Sequence, residues 1–143
     1  MIQDFDIVLA KDSPGKNLGR ILVIEDEAVL RVTFKQFLSE EGFDVATAPN
    51  GMEGVEICRE FRPDLVITDL LMPVQDGYTT IEILRRDFPD LPIIAMSAVM
   101  GSAGRHESLS RGAMCCVTKP VDVHLLLKVV RQYISTSGGR SPH

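Results

Sequence analysis

Short apolar-rich runs recur along this chain with helically patterned segments between them, and that alternation limits the fold more than any other feature. Arg20-Ile21-Leu22-Val23-Ile24 is unbroken in hydrophobicity after its first residue and stops at three acids, Glu25-Asp26-Glu27. A continuous run of this kind suits a strand buried on both faces, as in a parallel sheet. Leu30, Phe34, Phe37 and Leu38 then mark one face of a helix that Gly42 ends. Phe43–Thr47 is a shorter strand, and Pro49-Asn50-Gly51 turns into a second helix carrying Val55, Cys58 and Phe61. Pro63 resets the chain before the strand Leu65–Asp69. A loop through Pro73 and Gly77 leads to a third helix with Ile81 and Leu84. Leu91–Ser97 and Met114–Thr118 are the remaining strands. Gly101, Ser102, Gly104 and Ser110 lie between them, so the helix there is expected to be short or mobile. Leu126, Val129, Val130 and Tyr133 define a final helix, with Asp122 as its cap. Alternating strands and helices over residues 20–134 predict an α/β fold: an open parallel sheet with helices on both faces.

That unit takes up most of the 143 residues, so a second folded domain is not expected. Residues 1–19 read as an N-terminal extension and linker, broken by Ser13-Pro14-Gly15 and Gly19, with Ile7-Val8-Leu9 able to form a short strand or turn. Residues 135–143, STSGGRSPH, have the composition of a flexible tail. Fifteen basic against twenty acidic residues leave a net charge of −5, which speaks against non-specific binding to nucleic acid or an anionic membrane. Cys58, Cys115 and Cys116 form no metal-binding spacing, and His106, His124 and His143 are unclustered, so structural zinc is not expected. The cysteines, like Met72, Met96 and Met114, are expected as packing residues. The N-terminus carries acids where a signal peptide needs bases, and no run approaches the ~18 apolar residues of a membrane span. A cytoplasmic location is the expectation.

In an open α/β sheet, ligands bind beyond the carboxyl ends of the strands. The residues that end the apolar runs are Glu25-Asp26-Glu27, Asp69, Ser97 and Lys119-Pro120; the second strand ends without a polar candidate. Converging carboxylates repel one another unless a cation sits among them. An all-oxygen set with neither imidazole nor thiolate suits Mg²⁺, or Mn²⁺. A hydroxyl and an ammonium on the other side are groups that stabilise a phosphoryl oxygen, and one carboxylate, Asp69 as the central one, is then the nucleophile. Read more plainly, Asp26 and Glu27 merely cap a helix, Lys119 is a surface lysine and Ser97 a loop hydroxyl.

These residues resemble the receiver domains of two-component response regulators. ILVIEDE at 21–27 is similar to that family's acid-pair motif, and VITDLLMPVQDGY at 66–78 to its phosphoacceptor strand and turn. IIAMSA at 93–98 resembles the strand ending in Ser or Thr, and TKP at 118–120 the lysine-proline signature. The resemblance implies a stand-alone, flavodoxin-like, doubly wound (βα)₅ fold with strand order 2-1-3-4-5. It implies that Asp69 accepts phosphate from a histidine on a sensor histidine kinase or a histidine phosphotransfer protein. Asp26, Asp69 and the backbone carbonyl of Leu71 then ligate Mg²⁺, with Glu25 acting through water. Lys119, next to a bond that is usually cis, pairs with the phosphoryl group; Ser97 moves toward it and relays the state to a downstream protein target.

The departures from the family pattern also carry expectations. Cys116 stands where receivers often have an aromatic switch residue, so Ser97 is left to communicate with a different partner. Val121 replaces a frequent Phe, and Glu25 a commoner Asp. Leu71 and Val99 occupy positions that tune self-dephosphorylation; neither side chain orients an attacking water, which implies a long-lived phosphoryl group. The resulting expectation is a phosphorylation-dependent switch that catalyses only its own modification. Two alternatives stand beside it: a degenerate receiver acting as a phosphorylation-independent scaffold, and a haloacid dehalogenase-like phosphohydrolase. The latter needs a second Asp where this chain has Leu71.

Overall fold

Successive side chains along a strand point to opposite faces of a sheet, so a continuous apolar run needs cover on both sides. In the computed structural model, which describes residues 17–98 and 102–138, those runs form β1 (Arg20–Ile24), β2 (Asp44–Ala48), β3 (Leu65–Asp69), β4 (Ile93–Ser97) and β5 (Cys115–Thr118). All pair in parallel in the order β2-β1-β3-β4-β5, the flavodoxin-like topology. The connecting helices are α1 (Ala28–Glu40), α2 (Gly51–Phe61), α3 (Gly77–Asp87), α4 (Ser102–Arg111) and α5 (Val123–Gly138).

Ile21, Val23, Leu65, Ile67, Ile94 and Met96 share one sheet face with Phe34 and Leu38 of α1 and Leu126 and Val130 of α5. Leu22, Ile24, Val66, Ile93 and Ala95 take the other, against Val55 and Cys58 of α2 and Ile81 and Leu84 of α3. Each buried Val, Leu, Ile, Phe or Met among them contributes roughly 1.5–3 kcal/mol. With both faces covered, the functional groups are left to the ends of the strands.

Among the described residues, three helix starts are capped by side chains. Asn50 Oδ1 accepts from Glu53 N at 2.9 Å, Asp76 Oδ1 from Thr79 N at 2.8 Å, and Asp122 Oδ1 from His124 N at 3.0 Å. Asp76→Ala is expected to lower stability by about 1 kcal/mol, read as a lower urea midpoint at unchanged m value. Glu27 holds the N-cap position of α1 but makes no side-chain cap bond, so the plain capping reading of that acid does not describe it.

Several boundaries differ from the sequence reading. Leu91 and Pro92 precede β4, and Met114 lies outside β5 with its side chain exposed. Helix α4 forms over ten residues despite Gly104 and its serines. Contacts to other elements supply what propensity does not: the Arg111 guanidinium lies 5.4 Å from the Tyr78 ring centre and 3.4 Å from a Glu82 oxygen. Helix α5 continues through Ser135 to Gly138, so the expected start of the tail falls within its last turn. Serine and threonine cost a helix only about half a kcal/mol each, too little to stop it without proline. Cys58 is the buried hydrophobe expected, its thiol pKa pushed up by burial to about 11. Cys115 and Cys116 are only half-buried, because β5 is an edge strand with less cover on its faces. The possible strand at Ile7-Val8-Leu9 lies outside the described residues.

Candidate functional site

Parallel strands starting from one edge of a sheet deliver their last residues to the opposite edge. Glu25 follows β1, Asp69 ends β3, Ser97 ends β4 and Lys119 follows β5. The register places Asp69 beside Met96 and Ser97 beside Thr118, so four chain segments meet at one rim. Glu25, Asp26 and Asp69 each offer a carboxylate oxygen within 4.8 Å of the others. Glu25 is fully buried and Asp69 is 5% exposed, whereas Asp26 faces solvent.

Lys119 closes the group. Its Nζ donates to Asp69 Oδ2 at 2.8 Å and to Glu25 Oε1 at 3.0 Å, and the Lys119–Pro120 bond is cis. Burial works against the Lys119 ammonium, but hydrogen bonds and the charges of the two carboxylates outweigh it and raise its pKa above the ordinary lysine value. Burial likewise pushes the Glu25 carboxyl above its usual range, against hydrogen bonds from Glu27 N and Lys119, and the Asp69 charge adds to the rise. Three carboxylates facing one ammonium leave negative charge uncompensated in a confined space. That excess, and a donor set of oxygen alone, fit a hard divalent cation.

The surrounding backbone is tightly fitted. Leu71 N approaches Asp69 Oδ1 at 3.4 Å, while the Leu71 side chain is 58% exposed. Ser97 is buried, 4% exposed, and its carbonyl accepts from Lys119 N at 2.8 Å, tying the end of β4 to the lysine. Cys116 borders a groove of about 280 Å³ along the β5 edge, with Val121 and Leu125 on its wall. Val99 lies outside the described residues.

Two neighbours of the site escaped the sequence reading. Gly77 N donates to Leu70 O at 2.8 Å, bringing the start of α3 against the end of β3. Arg31 reaches back along α1 to the acidic turn, where its Nη1 donates to Glu25 O at 2.8 Å and Asp26 O at 3.2 Å. A basic residue one turn into a helix that follows three acids was the available signal.

A family model described as the response regulator receiver domain matches residues 21–131. The chain belongs to this family. As a receiver domain it is a phosphorylation-dependent switch of two-component signalling, and its family is one of signalling proteins. It is 34% identical over 123 residues to the probable C4-dicarboxylate response regulator DctR of Priestia megaterium, covering 85% of this chain and 54% of that protein. It is 40% identical over 101 residues to the probable transcriptional regulator ycf27 of Porphyridium aerugineum, covering 71% and 42%. Among solved structures, the Francisella response regulator 1452 receiver domain matches with a TM-score of 0.79 at 26% identity, covering 83% of this chain and 98% of that one. The receiver spans about half the length of the curated relatives it matches. Membership sets aside the phosphohydrolase alternative. No helix among the described residues is long and apolar enough to cross a membrane.

Proposed function

We propose that Asp69 is the phosphoacceptor of this receiver, taking a phosphoryl group from a phosphohistidine of a sensor kinase or phosphotransfer protein and signalling through contacts with a downstream protein. The observation that carries this reading is the meeting of Asp69 with Glu25, Asp26 and the Lys119 ammonium at a strand-end rim. A carboxylate oxygen of Asp69 attacks phosphorus, the N–P bond breaks, and the electron pair leaves on the imidazole nitrogen. Lys119 orients the Asp69 carboxylate beforehand through its hydrogen bond to Oδ2 and offers its charge to the phosphoryl oxygens afterwards. Ser97, the last residue of β4, answers the new group with its hydroxyl in this reading.

Glu25, Asp26, Asp69 and the Leu71 carbonyl would hold Mg²⁺, which supplies charge neutralisation for the transferring group. Catalysis by this chain is confined to its own phosphorylation and dephosphorylation. The exposed hydrocarbon side chain of Leu71 cannot orient a water, which supports a slowly hydrolysed acyl phosphate.

Phosphoramidate, a small donor with the same P–N bond, provides the test. Incubation with Mg²⁺ is expected to load one phosphoryl group per chain, seen by intact-mass spectrometry. Adding a chelator is expected to suppress loading by about a hundredfold or more. Equal loading with and without the chelator contradicts the cation reading, and no loading under any condition contradicts the acceptor reading.

A further inference from the structure

We propose that Arg31 is the positioning residue for the acidic turn: its guanidinium holds the backbone of Glu25 and Asp26 so that both carboxylates are set for a divalent cation. The inference rests on the reading of Glu25, Asp26 and Asp69 as a cation site.

The turn between β1 and α1 lies where neither ladder reaches. The strand's hydrogen bonding ends with Glu25 N donating to Ala48 O at 3.0 Å, and the helix starts with Arg31 N donating to Glu27 O at 2.9 Å. The carbonyls of Glu25 and Asp26 fall between those two bonds. Long side chains on a helix lean toward its N-terminus. From the first turn of α1, Arg31 therefore reaches back, and Nη1 bonds both carbonyls, at 2.8 and 3.2 Å. On the side-chain side, Glu25 Oε2 accepts from Glu27 N at 3.0 Å and Oε1 from Lys119. The backbone of the two acids is thus held by Arg31, and the buried carboxylate by Glu27 and Lys119.

Charge alone gives the opposite expectation. A guanidinium beside a cation site repels the cation, so removing it should tighten binding if Arg31 acts only through its field. If Arg31 acts by fixing the turn, removing it weakens binding, as loss of groups that orient metal ligands does. The sign of the effect separates the two.

The test is calorimetric titration of the full chain with Mg²⁺ alone, for wild type, Arg31→Ala and Arg31→Lys, with metal-free thermal unfolding of each. Arg31→Ala is expected to bind Mg²⁺ about tenfold more weakly. Arg31→Lys keeps the charge but loses the planar fork, so it recovers part of the affinity. Unchanged or tighter binding by Arg31→Ala overturns the proposal, including the case in which only its thermal stability falls. Should Arg31→Ala fail to fold, wild-type affinity in Arg31→Lys overturns it, and weakened affinity at near-wild-type thermal stability supports it. A wild-type chain that binds no Mg²⁺ overturns the cation site itself, a result distinct from any difference among the variants.

Discussion

Asp69→Asn is expected to fold normally and to take up phosphoryl groups from phosphoramidate at less than about a thousandth of the wild-type rate. The substitution keeps the shape of the side chain, and Lys119 retains Glu25 Oε1 as an acceptor at 3.0 Å. What is lost is the anionic oxygen: an amide is a poor nucleophile, and no neighbour replaces it. Asp26 is solvent-facing, and Glu25 is buried with both carboxylate oxygens engaged. Intact-mass spectrometry measures uptake, and far-UV circular dichroism checks folding. Hydroxylamine adds a chemical check, because it cleaves an acyl phosphate and spares a phosphate ester such as one formed on Ser97. Uptake by Asp69→Asn near the wild-type rate removes Asp69 from the role.

Gly77→Ala is expected to destabilise the fold by about 3 kcal/mol or more, a large effect for one added methyl group. A Cβ at position 77 would lie 2.1 Å from Asp69 O, 2.6 Å from Leu70 Cα and 2.9 Å from the Asp69 carbonyl carbon. All three are backbone atoms at the end of β3, so no side-chain rotation can make room. Relief has to come from moving the start of α3 or the residue that carries the proposed acceptor. Urea unfolding measures the stability, and phosphoramidate uptake is expected to fall with it because Asp69 is displaced. A stability within about 1 kcal/mol of wild type contradicts this account of the α3–β3 approach.

The legible parts of this protein are those written locally. β1 and β3 match their sequence limits because each apolar run ends at a charge, Glu25 after β1 and Asp69 at the end of β3. The site residues were legible for the same reason: a polar residue ending a buried strand stands out against its run, and parallel topology carries all such ends to one rim. The pairing of Lys119 with Glu25 spans 94 positions, and only strand order makes it foreseeable. Features that depend on remote contacts were harder to read. Helix α4 looks weak by propensity, yet Arg85 binds the Gly112 carbonyl at 2.6 Å just beyond its end, and Arg111 ties it to α3. Arg31 reads as an ordinary solvated helix residue until its reach back to Glu25 and Asp26 is seen. Gly77 reads as a turn marker, and nothing local announces that β3 backbone occupies the space where its Cβ would be.

Localising the phosphoryl group tests the central claim most directly. Borohydride reduces an aspartyl phosphate to homoserine, a change that tandem mass spectrometry assigns to one residue. After loading with phosphoramidate and Mg²⁺, homoserine is expected at position 69 and nowhere else. Homoserine at position 26, or a phosphoryl group found on any other residue with position 69 unmodified, contradicts the account.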